Sequence, residues 1–146
     1  MSRVRVLGIG SPAGDDQAGW LAVEALQGVG VDACKLDRPG ANLVSQLAGV
    51  DHVILIDAMQ GGGAPGQVRR FERDDWRGYG QGLSTHGFGV LDALALAEAL
   101  GSLPPRMDLY GIEIASAHPG AAPGPEVRTA AMRLAAGIAA RLGKSA

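Results

Sequence analysis

The segment 4–16 reads VRVLGIGSPAGDD, and its order of residue types decides the class of fold. Residues 4–10 are mostly β-branched and aliphatic and end in glycine, a pattern typical of a strand buried on both faces. The following turn is rich in residues that start helices. Apolar residues then recur at helical spacing, which predicts a helix over about 16–28 with Asp15 or Asp16 as its N-cap.

The same alternation of strand and helix patterns continues along the chain. Strands are predicted over about 31–36, 52–58 and 107–114, with an extended edge segment over 67–71. Helices are predicted over 42–48, over 90–100 and from about 125 onwards. Strands that alternate with helices imply a mainly parallel sheet covered on both faces. The predicted fold class is therefore α/β, a single three-layer α/β/α domain over residues 1–146.

Composition excludes several classes of function. The chain has 146 residues, a formal net charge of −2 and no basic stripe, so nucleic acid is not expected as its main partner. No apolar run is long enough to span a membrane, and the N-terminus lacks a signal-peptide pattern, so a cytoplasmic location is expected. The single cysteine, Cys34, excludes an intramolecular disulfide and is interpreted as a buried small residue of the second strand.

Three residues that could hold a metal are predicted at one edge of the sheet. In such folds, ligands bind at the carboxyl ends of the strands near a topological switch point. Asp16 follows the first strand, Asp57 ends the third, and His86 precedes the helix after the glycine-rich loop. Each alone has a structural interpretation, as a helix cap or a turn former. Together, two carboxylates and one imidazole could hold a divalent transition metal with coordination positions left open.

The other histidines and a nucleotide-binding motif provide the alternatives. His52 opens the third strand, at the opposite end of the sheet, and His118 lies in a Pro/Gly loop. Residues 8–13 loosely match a dinucleotide fingerprint, with Asp37 as the acid that would bind the ribose. Against this alternative, Asp15 and Asp16 place negative charge where a pyrophosphate would meet the helix N-terminus.

Several motifs, taken in order, resemble those of the nickel-iron hydrogenase maturation endopeptidases. They are VLGIGSPAGDDQAG at 6–19, IDAMQGG at 56–62 with PGQV at 65–68, STHG at 84–87 before an Ala/Leu-rich helix, YGIE at 110–113 and GPEV at 124–127. The resemblance covers nearly the whole chain. It departs from the family at Ser11, where the family usually has Asn, and in a turn after Gly10 that is one residue shorter. These departures leave the register of Asp15 and Asp16 open.

The resemblance implies an endopeptidase that trims a C-terminal extension from the hydrogenase large-subunit precursor after nickel insertion. It implies that Asp16, Asp57 and His86 contact the metal, with Asp16 favoured over Asp15. The nickel would belong to the precursor and serve in recognition, so no permanent metal is expected. Two routes to hydrolysis stay open: metal-assisted attack by water, or a carboxylate as general base. A noncatalytic, metal-dependent binder of the precursor is a further alternative. The loop 61–66 could move to admit the extension or be a passive connection.

Overall fold

The computed structural model describes residues 3–12, 14–37, 41–60, 62–72, 87–115 and 122–144. Five strands and four α-helices alternate along them, and a 3-10 helix, Gly14–Gln17, precedes the first α-helix. The strands are β1 (Val4–Ile9), β2 (Ala33–Leu36), β3 (His52–Met59), β4 (Val68–Glu72) and β5 (Arg106–Glu113). The helices are α1 (Ala18–Gln27), α2 (Ala41–Leu47), α3 (Gly87–Ala99) and α4 (Pro125–Arg141). The predicted elements are confirmed, with bounds shifted by a few residues.

The five strands form one sheet in the order β2-β1-β3-β5-β4. β1, β2, β3 and β5 are parallel, and β4 runs antiparallel to β5 at the edge. The chain leaves β1 for β2 on one side and later returns to β3 on the other side. The topological switch point therefore lies between the carboxyl ends of β1 and β3, where open α/β sheets bind ligands.

Two apolar clusters fill the spaces between the sheet and its helices. One joins α1 and α4 to side chains such as Val6, Ile54 and Ile112. The other joins α2 and α3 to Leu7, Leu55 and their neighbours on the opposite face of the sheet. Because successive side chains of a strand point to opposite faces, the central strands β1 and β3 are buried on both sides. The structure confirms the predicted three layers and the mainly parallel sheet.

Two glycines allow α1 to lie directly against the sheet. A Cβ at Gly8 would collide with the Gly19 carbonyl oxygen and with Val23. A Cβ at Gly19 would lie 2.6 Å from the carbonyl oxygens of both Ile9 and Ile56. These positions are closed to larger residues, and they fix the start of α1 over the junction between β1 and β3.

Two local predictions are corrected by the structure. The N-cap of α1 is Gln17, which makes no side-chain capping hydrogen bond, so neither Asp15 nor Asp16 occupies that position. Both aspartates lie in the 3-10 helix, because the chain makes a tighter turn before α1 begins. Cys34 lies in β2 as predicted but is only partly buried, since β2 is an edge strand.

Among the helices that the structure describes, none is sufficiently long and apolar to cross a membrane.

Candidate functional site

Asp57 is a buried carboxylate near the carboxyl end of β3. Its neighbours in the strand are apolar, and only 1% of its surface is exposed. The backbone N–H of Ala58 donates a hydrogen bond of 2.8 Å to Asp57 Oδ1. Strand alternation puts Asp57 on the same face as Leu55, which is the face covered by α2 and α3. Burying a carboxylate in a core strand costs free energy unless hydrogen bonds or an opposite charge compensate it. Asp57 is therefore a candidate for a functional residue.

Asp16 is the second buried carboxylate, and Ser11 holds it. Asp16 is 5% exposed, and its Oδ2 accepts a hydrogen bond from the Ser11 hydroxyl. The backbone N–H of Ser11 also donates to the Asp16 carbonyl oxygen at 3.2 Å, which closes the turn after β1. Ser11, the residue that departs from the family pattern, therefore supplies a side-chain donor to the predicted metal-contacting acid.

Asp16 and Asp57 lie at the same edge of the sheet. The 3-10 helix that carries Asp16 contacts β3, which carries Asp57. Gly19, three residues after Asp16, packs against the carbonyl oxygen of Ile56, the residue before Asp57. The topology therefore brings the two carboxylates to the switch point between β1 and β3, as the strand pattern predicted.

Asp15 has a different environment from Asp16, although the two are adjacent in sequence. Its carboxylate accepts hydrogen bonds from the backbone N–H groups of Ala115, at 3.1 Å, and Gly124, at 2.6 Å. These bonds tie the 3-10 helix to the chain that leaves β5 and to the N-cap position of α4. Asp15 thereby links three segments of the carboxyl edge, while Asp16 bonds within its own turn.

Glu113, at the end of β5, is a further buried acid at this edge of the sheet; it belongs to the motif YGIE at 110–113 but was not predicted as a site residue. It is 1% exposed and pairs in register with Met59, so alternation places it on the same face as Asp57. Its carboxylate Oε1 lies 3.7 Å from an Arg69 guanidinium nitrogen. The signal that could have found it is the same as for Asp57: an acidic residue at the end of an apolar strand.

The backbone of Glu113 also holds part of the glycine-rich loop. The N–H of Gly66 donates to the Glu113 carbonyl oxygen, and the N–H of Glu113 donates to Gln67, both at 2.8 Å. Gly66 has a φ of 91°, in the left-handed region that favours glycine. The end of the loop is therefore fastened to β5 by two backbone hydrogen bonds.

The third predicted site residue, His86, lies outside the described residues, as does His118. The helix α3 begins at Gly87, the residue after His86, and its described side chains pack on the same face of the sheet as Asp57. Within the described part of the chain, no three His, Cys, Asp or Glu side chains are grouped closely enough to hold a metal. The proposed triad therefore stays a prediction.

The opposite end of the sheet holds a different cluster around Asp108. His52 Nε2 lies 2.7 Å from Asp108 Oδ2, and Arg70 donates to Asp108 Oδ1 from Nε at 3.1 Å and from Nη2 at 2.6 Å. Burial raises the pKa of Asp108, but hydrogen bonds and charge from His52 and Arg70 outweigh it and leave that pKa below its ordinary value. The Asp108 hydrogen bond is the main reason that the pKa of Arg70 is raised. His52 is thus at the far end of the sheet, as predicted.

Comparisons with known proteins agree with this architecture. Residues 38–140 match the family model described as HycI, hydrogenase maturation protease. The hydrogenase expression/formation protein HupD of Thiocapsa roseopersicina is 32% identical over 118 residues, which are 75% of this chain and 53% of that protein. The chain thus spans about half the length of this relative.

Solved structures of similar proteins cover nearly the whole chain. The hydrogenase maturating endopeptidase HybD from E. coli superimposes with a TM-score of 0.80 and 25% identity, over 98% of this chain and 95% of that one. The [NiFe] hydrogenase maturation protease HycI from Thermococcus kodakarensis has a TM-score of 0.75 and 28% identity, over 97% and 93% of the two chains. The HybD protease of that organism gives 0.79 and 26%, over 96% and 98%.

Proposed function

Because the chain belongs to the hydrogenase maturation protease family, a family of peptidases, we propose that it is an endopeptidase that removes the C-terminal extension of a nickel-iron hydrogenase large-subunit precursor. Cleavage follows nickel insertion, and the nickel is part of the substrate. The observation that carries the proposal is the pair of buried carboxylates, Asp16 and Asp57, at the switch point of the sheet. Family membership favours this reading over the nucleotide-binding alternative.

The chemistry of the site suits a cation better than a phosphate. Asp16 and Asp57 are buried acids where a dinucleotide-binding protein of this topology would place a pyrophosphate. Carboxylate oxygens repel phosphate, but they bind divalent transition metals, for which imidazole is a common further ligand. Asp16, Asp57 and His86 would offer two oxygen ligands and one nitrogen ligand to the nickel of a docked precursor.

In the reaction, a water molecule adds to the scissile carbonyl carbon, the C–N bond breaks, and the released amine takes up a proton. Docking of the nickel site would hold the neighbouring peptide bond in place, which lowers the entropic part of the barrier. The water is activated in one of two ways. A carboxylate of this chain accepts its proton, or the substrate nickel polarises the carbonyl or the water.

We propose that the reaction takes place in the cytoplasm. A single, unpaired cysteine is consistent with a reducing compartment, where disulfides are rare. Cell fractionation with an antibody against the protein tests this part of the proposal separately from the enzymatic activity.

The proposed activity is tested by mass spectrometry of purified precursor incubated with this protein. Nickel-loaded precursor should lose one C-terminal fragment, and nickel-free precursor should keep its mass. Stable binding without loss of mass would instead identify a noncatalytic binder. Cleavage that is equal with and without nickel would overturn the role of the metal, and an unchanged, unbound precursor would overturn the whole proposal.

A further inference from the structure

Arg69 lies at the carboxyl edge of the sheet, on the same face as Asp57. Because β4 runs antiparallel to β5, its first residues reach this edge, and Arg69 pairs in register with Gly111. Gly111 pairs in turn with Asp57 of β3. Residues paired in register point to the same face of a sheet, and Phe71, two residues after Arg69, packs in the apolar cluster of that face. Asp57, Gly111 and Arg69 therefore form one row across the sheet.

The middle residue of this row, Gly111, adds no side chain between the two charged ones. A Cβ at Gly111 would collide with the thioether of Met59, which covers this position. With neighbouring strands about 4.8 Å apart, the backbones of Asp57 and Arg69 are about 10 Å apart, which is the length of about three extended residues. A substrate whose nickel contacts Asp57 can therefore present a neighbouring peptide bond to Arg69.

Glu113 fixes the position of the Arg69 side chain. The carboxylate of Glu113 is buried, and its Oε1 lies 3.7 Å from Arg69 Nη1. Gly63 of the glycine-rich loop packs on this carboxylate, since a Cβ at Gly63 would lie 3.1 Å from Glu113 Cγ and 3.2 Å from Cδ.

The N–H groups of Arg69 stay accessible beside this buried charge. A separation of 3.7 Å is too long for a hydrogen bond, and no residue in the described part of the chain accepts one from the guanidinium. The Arg69 side chain is 44% exposed. Its guanidinium is thus held near Glu113 by charge, while its donors can reach a ligand.

The proposed reaction itself supplies an anion for these donors. When water adds to the scissile carbonyl carbon, the carbonyl oxygen takes up the electron pair of the C=O double bond and becomes negatively charged. The double bond forms again as the C–N bond breaks. Fixed donors aimed at such an oxygen make one of the largest contributions to catalysis of acyl transfer. Arginine suits this task because its guanidinium stays protonated and offers several N–H donors in one plane.

We propose that Arg69 is a catalytic residue that donates hydrogen bonds to the scissile carbonyl oxygen, and that Glu113 is its positioning residue. The inference rests on the proposed function. Arg69 stabilises the negative charge on the oxygen and keeps its own proton throughout. The proton of the attacking water leaves by either of the two routes described above. Asp16 and Asp57 hold the substrate nickel, and Arg69 holds the bond that is cleaved.

Arg69→Met tests the catalytic role, because it removes the N–H donors and keeps an unbranched side chain. Arg106→Met is the matched control, since Arg106 is exposed at the amino end of the sheet. We expect kcat for nickel-loaded precursor to fall about 100-fold or more in Arg69→Met, with KM within about threefold. Both parameters should stay within about twofold in Arg106→Met. A kcat of Arg69→Met within about threefold of the wild-type value would overturn the proposal.

Two further measurements separate loss of the donors from loss of structure. Arg69→Lys keeps a positive charge beside Glu113 but lacks the planar set of donors, so its kcat should lie between those of the wild type and Arg69→Met. In Arg69→Ala, guanidinium at about 50 mM, far below the concentrations that unfold proteins, should raise kcat about fivefold and leave the wild type unchanged. A folded Arg69→Ala that guanidinium does not activate would contradict direct contact with the substrate.

The positioning role of Glu113 is tested by combining two changes. Glu113→Gln alone should lower kcat about tenfold, and adding it to Arg69→Met should lower kcat no further, because Glu113 acts through Arg69. The double variant also removes the buried carboxylate that loses its arginine in Arg69→Met, so it serves as the test if the single variant does not fold. Losses of kcat that multiply in the double variant would show that Glu113 acts independently of Arg69.

The same assay separates failure of this inference from failure of the proposed function. Cleavage by the wild type together with a nearly unchanged kcat in Arg69→Met would leave the protease standing and overturn the role of Arg69. A precursor that the wild-type protein does not cleave at all would overturn both.

Discussion

The two ends of the sheet both bury acidic side chains, but the hydrogen-bond partners of these side chains differ between the ends. At the amino end, Asp108 is hydrogen-bonded to His52 and accepts two hydrogen bonds from Arg70. These contacts leave the pKa of Asp108 below its ordinary value. At the carboxyl end, Asp16 accepts from the Ser11 hydroxyl and Asp57 from a backbone N–H. Asp108 thus has a charged partner, Arg70, in the same chain, and the donors described here for Asp16 and Asp57 are a hydroxyl and a backbone N–H. Glu113, also at the carboxyl end, lies near the guanidinium of the partly exposed Arg69.

This difference separates a structural cluster from a candidate site. The Asp108 cluster links strands, since His52 of β3, Asp108 of β5 and Arg70 of β4 all contribute to it. Asp16 and Asp57 lie instead at the switch point of the sheet, where open α/β folds bind ligands. The comparison predicts that changes at the carboxyl end remove activity, and that changes at the amino end remove stability.

The largest effect is expected from Asp57→Asn and Asp16→Asn. Each keeps the size of the side chain and removes the negative charge, so processing of nickel-loaded precursor should fall more than 100-fold while the thermal midpoint shifts by only a few degrees. Loss of the predicted third ligand in His86→Ala should have the same effect on processing. Mass spectrometry measures processing, and circular dichroism measures the melting transition.

Asp15→Asn is the matched control for Asp16→Asn. Asp15 bonds to backbone N–H groups of Ala115 and Gly124, and an asparagine oxygen can still accept from one of them. Processing should therefore stay within about tenfold of the wild-type rate. Full activity of Asp16→Asn together with an inactive Asp15→Asn would show that the register of the two aspartates is reversed.

A smaller effect, on stability alone, is expected from Asp108→Asn. The change weakens charge-assisted hydrogen bonds to His52 and Arg70 and should cost about 1.5–3 kcal/mol of unfolding free energy. The melting temperature should fall by about 5–10 °C. Processing at 20 °C should equal that of the wild type, and a large loss of activity in the folded variant would contradict the division between the two ends.

The smallest effect is the pH dependence of the same interaction. Because the pKa of Asp108 is lower in the folded protein, its ionised form stabilises the fold above the unfolded pKa, about 3.9 for an aspartate. This contribution is lost as the pH falls through the lower folded pKa. Urea unfolding of the wild type and Asp108→Asn should differ most at neutral pH and converge below about pH 4. A difference that stays constant to pH 2 would contradict this assignment.

Much of the carboxyl edge could be predicted from local patterns. Asp57 stands out as an acid in an apolar run, and parallel strands with helices between them place the ends of β1 and β3 together. Glu113 carries the same signal, an acid at the end of an apolar strand, but its position on the same face as Asp57 follows only from its register with Met59 in the sheet. The separate environment of Asp15 could not be predicted, since its partners lie 100 and 109 residues away.

The sequence by itself determined the α/β class, the order of the elements, the candidate acids Asp16 and Asp57, and the resemblance to a family. These follow from periodicity and from short motifs, which are local properties of the chain. Only the tertiary structure decided that Arg70 and His52 meet at Asp108, and that Asp15 fastens the start of α4. Those facts depend on contacts between segments that are distant in sequence, and hydrogen bonding and burial there are set by packing rather than by the residues' neighbours in the chain.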